Sequence, residues 1–338
     1  MLGFQKCKSM VIKKTFIDLY RGIDLSFRRL PLMIADSGCD GPTLWLTAAI
    51  HGDEINGTTA IHRILKRLNK INLTKGRIFA FPIMNPTGFE TISRYESYDE
   101  EDLNRHFDGS NKGSVAQRHA ELILQTILRT KPDMVIDLHT DSVNSIAYSI
   151  VDYPGIVTNP QPIKNSIALA KTLGFSWAID TDKNAGYPLE KCLSGRLVSL
   201  GITAVTVELG GPRVIDNLFS SMGTEGVWKV IESLGMLGTK NYRKDEAPLK
   251  KINLFKERIT SENTGIVEYM AKPGQTVEKK DILCKVKNVF GETIEIIKAL
   301  EKVAVFSHED RSITFPGQTL FTLAVERDVD DFTGIKEL

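Results

Sequence analysis

The sequence predicts an α/β sheet domain followed by a small all-β domain. Apolar, strand-like runs alternate with amphipathic, helix-like segments between residues 43 and 236. This alternation is typical of a sheet covered by helices on both faces. Beyond a charged stretch at 238–251 the helix patterns fade, and short strand patterns with turns replace them. We therefore expect a first domain over 1–238 and a second over 250–328.

Each element of the first domain is predicted from its hydrophobic periodicity. Short apolar runs predict buried strands at 44–50, 77–83, 134–138 and 202–209. Apolar residues spaced three or four apart predict helices at 55–68, from Ser114 onward, and at 163–173, 189–200 and 221–234. The segment between Asn85 and Lys112 has no periodicity and many polar residues. A loop that long in a compact domain is usually functional or disordered.

The all-β prediction rests on a repeated turn motif. Pro273-Gly-Gln-Thr276 recurs as Pro316-Gly-Gln-Thr319, and an apolar run follows each copy. A repeated Pro-Gly turn that leads into a strand indicates two similar β halves packed face to face. The second domain is therefore predicted to be a small sandwich.

Composition and charge argue against several function classes. Hydrophobic residues make up 42% of the 338 residues, which is enough for a sizeable core. The formal net charge is +1, so neither nucleic acid nor an acidic membrane surface is indicated as a partner. No stretch reaches the ~18 apolar residues of a membrane span, and no signal peptide is apparent. The four cysteines form no CxxC pair and suggest neither a disulfide framework nor a thiolate zinc site, so we expect a cytoplasmic protein.

The strongest candidate for a functional site is formed by His51, Glu54 and His139. His51-Gly-Asp-Glu54 follows one apolar run and Asp137-Leu-His139 follows another, so both motifs stand where buried strands end. Ligands of open α/β sheets gather at such strand ends. Two histidines and one carboxylate are the protein ligands of a catalytic zinc site whose fourth position is open for water. The first motif alone also fits a polar cap between strand and helix, and His139 favours the metal site.

One carboxylate and a polar loop contain the candidates for a general base and for anion-binding side chains. Glu208 ends an apolar strand directly before Leu209 and two glycines, where it is either a surface carboxylate or a general base near a metal-bound water. Arg94, Asn104 and Arg105 lie in the aperiodic loop. Cations there are either solvated or bind an anionic substrate or a developing oxyanion.

In their order along the chain, these motifs resemble the succinylglutamate desuccinylase/aspartoacylase family of the zinc carboxypeptidase clan. The resemblance is carried by His51-x-x-Glu54, Asn85-Pro86, Arg94-Tyr95, Asp102-Leu-Asn104-Arg105, Asp137-Leu-His139-Thr140 and Glu208-Leu-Gly210. The chain looks closest to the bacterial deacylase-like branch, whose members append a β domain similar to a lipoyl or biotinyl barrel. The resemblance covers most of residues 30–235.

The resemblance implies a fold and a role for each site residue. It implies a carboxypeptidase-like mixed sheet covered by helices, with a small C-terminal all-β barrel-sandwich domain. One zinc ion per chain would be held by His51, Glu54 and His139, and the general base would be Glu208. Arg94 would polarise the scissile carbonyl. A substrate carboxylate would be bound by Asn104 and Arg105.

The favoured function is a zinc-dependent hydrolase of linear amides that removes the acyl group of a small N-acylated amino acid. Two alternatives stay open: a carboxypeptidase-like hydrolase of short peptides, and a non-catalytic metal-binding regulatory protein. Residues 286–293 contain no Asp-Lys-Ala or Met-Lys-Met motif, so the β domain is expected to lack a carrier lysine. Packing, or lining the active-site mouth, is the expected role of that domain. The oligomeric state is left open, with a homo-oligomer as one option.

Overall fold

The computed structural model describes residues 10–238 and 252–328. In the first range the strands are β1 Val11–Arg21, β2 Phe27–Asp36, β3 Thr43–Ala48, β4 Arg77–Phe81, β5 Met134–His139, β6 Ala147–Tyr153, β7 Ser176–Thr181 and β8 Thr203–Leu209. The helices are α1 Asn56–Leu68, α2 Pro86–Thr91, α3 Val115–Arg129, α4 Gln161–Leu173, α5 Asp182–Ala185, α6 Leu193–Ser199 and α7 Asn217–Ser233, with 3₁₀ turns at Leu103–Arg105 and Leu189–Lys191. In the second range the strands are β9 Ile252–Thr260, β10 Gly265–Tyr269, β11 Thr276–Val277, β12 Ile282–Lys287, β13 Thr293–Lys298, β14 Val303–His308, β15 Ile313–Thr314 and β16 Thr319–Asp328.

The described strands form one large and one small sheet. The twelve-stranded sheet has the order β1-β2-β4-β3-β5-β8-β6-β7-β9-β16-β14-β11, and the four-stranded sheet has the order β13-β12-β10-β15. Strands β4, β3, β5 and β8 run parallel, whereas β6 runs antiparallel to β8. The predicted fold class, a mixed sheet with a C-terminal antiparallel β unit, is confirmed.

Helices cover both faces of the central strands. Thr206 of β8 hydrogen-bonds with Ser194 of α6, whereas Leu209 of the same strand lies against Gly223 of α7. Residues an odd number of positions apart point to opposite faces of a strand, so α6 and α7 lie on different faces. Because helices cover both faces, every residue of β3 is buried, and the central strands appear in the sequence as continuous apolar runs.

Two predicted helices differ in their bounds. The helix predicted at 221–234 begins at Asn217, because Asp216 caps it by accepting hydrogen bonds from the amides of Leu218 and Phe219. The segment predicted as one helix at 189–200 is divided into a 3₁₀ turn and α6. Cys192 causes the break, since its backbone is extended (φ −91°, ψ 155°).

The C-terminal β unit continues the large sheet. Strand β9 pairs in parallel with β7 at Ile179, and Phe306 of β14 packs on Tyr148 of β6 with 4.8 Å between ring centroids. The predicted division into domains at 1–238 and 250–328 stays a prediction. Most of the charged stretch predicted as a linker lies outside the described residues.

None of the described helices is long and apolar enough to cross a bilayer. The cytoplasmic location and the oligomeric state stay predictions. The prediction for the cysteines needs one correction. Cys39 is disulfide-bonded although the sequence suggested no disulfide framework, whereas Cys192 and Cys284 are free and buried.

Candidate functional site

Parallel strands bring four predicted site residues to one edge of the sheet. His51 follows β3, His139 is the last residue of β5, and Glu208 lies near the end of β8. Because these strands are adjacent and parallel, their carboxyl ends meet, and His139 pairs in register with Glu208. Glu54 joins them from the turn between β3 and α1, where its amide donates to the carbonyl of His51 at 3.1 Å.

The carboxylate of Glu54 lies between two imidazoles. Its Oε1 is 2.6 Å from Nδ1 of His51, and its Oε2 is 3.1 Å from Nδ1 of His139. Each of the three residues is only 3% exposed, and one ligand atom of each lies within 4.8 Å of the others. The amide of Thr140 donates to Oε2 at 3.0 Å and holds the carboxylate in this position.

The second nitrogen of each imidazole faces another carboxylate. Nε2 of His51 is 3.2 Å from Oδ1 of Asp102, and Nε2 of His139 is 2.8 Å from Oδ2 of Asp137. Asp137 itself accepts a hydrogen bond from the hydroxyl of Thr47 at 2.7 Å. Metal-binding histidines usually donate their other ring N–H to a carboxylate, which fixes the tautomer and the ring orientation. Nδ1 of each ring is therefore the nitrogen that could bind a metal.

These side chains fit a zinc ion. Two imidazole nitrogens and one carboxylate are a ligand set that catalytic zinc sites use. The thiol of Cys192 lines the same cavity, but burial raises its pKa to about 11. Among the described residues, the His, Cys, Asp and Glu side chains whose ligand atoms lie close enough together to hold a metal are His51, Glu54 and His139, without Cys192.

The charges of the ligand groups depend on one another. Burial raises the pKa of Glu54, but the imidazoles of His51 and His139 together lower it below its usual range. Burial lowers the pKa of His139, but Asp137 and Glu54 raise it well above its usual value. Without a cation the cluster therefore favours an imidazolium beside carboxylates. A metal ion binding at Nδ1 would take the place of a ring proton.

Glu208 presents an unsatisfied carboxylate oxygen to this cluster. Its Oε2 is buried and has no hydrogen-bond partner among the described residues. Burial raises the pKa of Glu208 to about 8; His139 opposes the rise, and Asp141 and Glu54 add to it. A buried polar atom without a partner is costly, and strongly perturbed carboxyl groups in clefts are often functional.

Arg94 approaches the metal-ligand cluster from the loop. Its Nε and Nη2 donate to Oδ2 of Asp102 at 3.1 and 2.9 Å. Its Nη1 lies 3.3 Å from Nδ1 of His51 and 3.9 Å from Oε1 of Glu54. Asp102 therefore orients both an imidazole and a guanidinium. Burial raises the pKa of Asp102, but His51 and Arg94 hold it below its usual range, so this carboxylate stays charged.

Asn104 and Arg105 lie in the 3₁₀ turn that lines the cavity. Oδ1 of Asn104 accepts from the amide of Leu193 at 2.9 Å, which leaves the side-chain nitrogen as a donor. The guanidinium of Arg105 lies 4.0 Å above the ring of Tyr187. Arg105 forms no ion pair with a carboxylate in the described part of the chain. An unpaired guanidinium of this kind can bind a substrate carboxylate bidentately.

The C-terminal β unit forms one wall of the cavity, whose volume is about 340 Å³. It contributes Lys256 and Arg258 of β9 to the lining. Asp310 holds this wall against the loop after β5, because it accepts hydrogen bonds from the hydroxyl of Ser142 at 2.5 Å and the amide of Val143 at 3.0 Å. The shape of the cavity therefore depends on both parts of the chain.

All the site residues predicted from the sequence line this cavity. They are His51, Glu54, Arg94, Asn104, Arg105, His139 and Glu208. Sequence reasoning missed several of their partners. Asp137 had a usable signal, because it lies two residues before His139 and strand residues two apart share a face. Asp102 stands in a motif quoted for the resemblance, but its contacts with His51 and Arg94 depend on how the loop folds and could not be predicted.

Curated relatives match much of the chain. A family model described as the succinylglutamate desuccinylase/aspartoacylase catalytic domain matches residues 40–234. The N-alpha-acetyl-L-2,4-diaminobutyric acid deacetylase of Halomonas elongata is 25% identical over 267 residues, which cover 76% of this chain and 73% of that protein. The succinylglutamate desuccinylase of Pseudomonas aeruginosa is 30% identical over 190 residues. The match to that enzyme spans about half of each protein, 54% of both.

Solved structures share the fold. A succinylglutamate desuccinylase/aspartoacylase structure from Rhodobacter sphaeroides has a TM-score of 0.77 at 18% identity, and the match covers 97% of this chain and 98% of that one. A metallo-carboxypeptidase from Burkholderia cenocepacia has a TM-score of 0.51 at 14% identity, and the match covers 66% of this chain and 65% of that one. The carboxypeptidase-like fold predicted from the sequence is thereby confirmed.

We predict that replacing His139 with alanine lowers the zinc content of the purified, dialysed protein well below that of the unchanged chain. The substitution removes one of the three candidate ligands. Zinc is measured by atomic absorption, and circular dichroism checks the fold. His62→Ala is the matched control, since His62 is an exposed histidine of α1 and should leave the zinc content unchanged. Undiminished zinc in a folded His139→Ala variant would exclude His139 as a ligand.

A second prediction concerns pH and the metal-free protein. The folded-state pKa of Glu208, about 8, lies above the value of an exposed glutamate, so folding binds a proton between these two pH values. The free energy of unfolding should therefore fall as pH rises from about 4.5 to 8. Glu208→Gln removes the ionisable group and with it this loss of stability at high pH. The variant should therefore melt at a higher temperature than the unchanged protein at pH 8, and at a similar temperature at pH 5. Equal melting temperatures at pH 8 would contradict a buried, perturbed carboxyl group.

Proposed function

Because the chain belongs to the succinylglutamate desuccinylase/aspartoacylase family, we propose that it is a zinc-dependent deacylase of N-acylated amino acids. It would cleave a linear amide bond and release an acyl acid and a free amino group. One observation carries the proposal: the unpartnered carboxylate of Glu208 lies beside the buried cluster of His51, Glu54 and His139, in the same cavity.

One zinc ion per chain would be held by the two Nδ1 atoms and the carboxylate of Glu54. When bound, zinc supplies a Lewis acid that polarises the amide carbonyl and acidifies a water molecule. The protein contributes the orientation of the ligands, since Asp102 and Asp137 fix the two imidazoles from behind. Their role is to keep both Nδ1 atoms directed at the ion.

Glu208 is the proposed general base. A carboxylate at this position can take a proton from the attacking water and later donate it to the leaving nitrogen. Its raised pKa makes its ionised form a stronger base than an exposed glutamate, and a zinc ion bound nearby would favour that ionised form. The free Oε2 atom supports this role, because no described side chain competes for the proton.

Arg94 and Arg105 have different proposed tasks. Arg94 lies beside the ligand cluster, where it can donate to the oxygen that becomes negative during attack. Arg105 lies over the ring of Tyr187 and, with the amide nitrogen of Asn104, can bind the carboxylate of the amino-acid part. Both tasks would be performed by side chains of one loop.

The cavity volume of about 340 Å³ favours a small substrate over a peptide. The C-terminal β unit, held by Asp310, supplies one wall and so limits the space beside the candidate metal ligands. The names of the two curated relatives give substrates in the proposed class, an acetylated diaminobutyrate and a succinylated glutamate. These two amino acids carry side chains of opposite charge. Membership of the family therefore does not decide whether the side chain of the substrate is basic or acidic.

The proposal is tested by incubating the zinc-loaded protein with N-acetyl, N-succinyl and longer N-acyl amino acids and with short peptides, and identifying the products. We expect free amino acids and simple carboxylic acids from the first group. Glu208→Gln should keep its zinc and lose ~10²–10⁴-fold in kcat, because a general base contributes about that much. Turnover of peptides alone, or full activity of a zinc-loaded Glu208→Gln variant, would overturn the assignment.

The two arginines should give different kinetic signatures. Arg94→Ala should lower kcat by ~10²–10³-fold, the usual cost of losing an oxyanion donor. Arg105→Ala should chiefly raise KM for substrates with a free carboxylate and leave their carboxamide analogues nearly unaffected. Steady-state kinetics on such matched pairs gives the comparison. Identical effects of the two substitutions on kcat and KM would refute this division of tasks.

A further inference from the structure

The loop that carries Arg94 and Asp102 contains a buried glutamate. Residues 92–102 lie outside every described helix and strand, yet Arg94 lies beside the candidate metal ligands. Glu96 follows Arg94 by two residues in this loop, and its side chain is completely buried. A carboxylate removed from water is costly unless charges or hydrogen bonds compensate for the lost hydration. The contacts of Glu96 therefore show what its burial achieves.

Three side chains from three separate elements bind the carboxylate of Glu96. Its Oε1 accepts from the hydroxyl of Tyr20, in β1, at 3.0 Å and from that of Thr87, in α2, at 2.6 Å. Its Oε2 lies 3.1 Å from Nδ1 of His119, in α3. Burial raises the pKa of Glu96, but the hydrogen bonds from His119 and Thr87 hold it below its usual range. The carboxylate is thus charged near neutral pH and attaches the loop to three parts of the fold.

The surroundings of His119 indicate the same attachment. Its ring is completely buried, and its Nε2 has no hydrogen-bond partner among the described residues. A buried polar atom without a partner costs free energy. Within the described part of the chain, the one hydrogen bond of this imidazole joins it to Glu96. The histidine is therefore placed for its contact with that carboxylate.

The backbone on both sides of Arg94 is bound to α2 and its cap. The amide of Ser93 donates to a carbonyl of α2 at 2.8 Å, and the carbonyl of Tyr95 accepts from the side chain of Asn85 at 3.1 Å. The amide of Asn85 donates in turn to the carbonyl of the residue that follows β3, at 2.9 Å. With Glu96, these bonds place Arg94 relative to the strand end that leads to the first candidate ligand.

We propose that Glu96 is a positioning residue, which holds the loop so that the guanidinium of Arg94 stays at the metal-ligand cluster. The proposal rests on the role of Arg94 in the deacylase reaction. Arg94 donates to Asp102 and lies 3.3 Å from Nδ1 of His51, so a shift of its backbone would move this donor away from the developing oxyanion. A misplacement of ~1 Å can lower a rate by ~10²-fold. Loss of Glu96 should therefore slow the reaction and leave the metal ligands and Arg105 in place.

The test is a double-mutant cycle on the zinc-loaded protein, with an N-acyl amino acid that the unchanged chain hydrolyses. Glu96→Ala should lower kcat by about 10- to 100-fold and leave KM and zinc content nearly unchanged. In an Arg94→Ala background the same substitution should have little further effect, because both changes remove the same donor. In an Arg105→Ala background it should keep its full effect on kcat. Glu100→Ala is the matched control and should leave kcat unchanged, since Glu100 is an exposed glutamate of the same loop.

Two milder variants keep the test decisive if Glu96→Ala does not fold, which circular dichroism checks. Tyr20→Phe removes a single hydrogen bond and keeps the ring, so kcat should fall about 2- to 10-fold, and only while Arg94 is present. Glu96→Gln keeps the shape of the side chain and an acceptor for both hydroxyl groups. It should therefore retain more activity than Glu96→Ala.

Two outcomes would overturn the inference and leave the deacylase function intact. In the first, the folded, zinc-loaded variants of Glu96 and Tyr20 have the kcat of the unchanged chain. In the second, they lower kcat by the same factor with and without Arg94, which would make Glu96 a general support of the fold. Full activity of Arg94→Ala would instead refute the role of Arg94. Failure of the unchanged, zinc-loaded chain to hydrolyse any N-acyl amino acid would refute the deacylase function, and the inference would fall in either case.

Discussion

The arrangement of the site depends on one buried carboxylate, that of Glu54, held between two imidazoles. A charge removed from water must be balanced nearby, and here His51 and His139 balance it while Asp102 and Asp137 balance them in turn. This alternation of charges is possible only where β3 and β5 end side by side. The sheet order is therefore a condition for the chemistry, because a different neighbour for β3 would separate the two histidines.

The sequence allowed the prediction of the family, the fold class and every candidate site residue, because these depend on local patterns. Short motifs at the ends of apolar strands are local, and parallel strands bring such ends together. The side chains that adjust the site depend on tertiary placement and were missed. Asp152 lies on β6, a strand that no pattern predicted, and Lys256 reaches Asp180 of β7 only because β9 extends the sheet. The positions of strands within a sheet are set by contacts between distant segments, which periodicity does not report.

The C-terminal β unit contributes both to the large sheet and to the cavity. Its strands continue the large sheet, Asp310 fixes it to the loop after β5, and Lys256 balances Asp180 in the lining of the cavity. The unit thus shapes one wall of the cavity and adds the cations Lys256 and Arg258 to its lining. The candidate metal ligands come from the first part of the chain, whereas the lining of the cavity comes from both parts. Such a division would let substrate preference change without disturbing the metal site.

The central claim is that His51, Glu54 and His139 form the zinc site. The most direct measurement is a crystal structure of the zinc-loaded protein with anomalous difference maps recorded on both sides of the zinc absorption edge. We predict one strong zinc peak per chain, bound by Nδ1 of both histidines and by the carboxylate of Glu54. A peak bound by other residues, or none between these three side chains at full zinc loading, would contradict it.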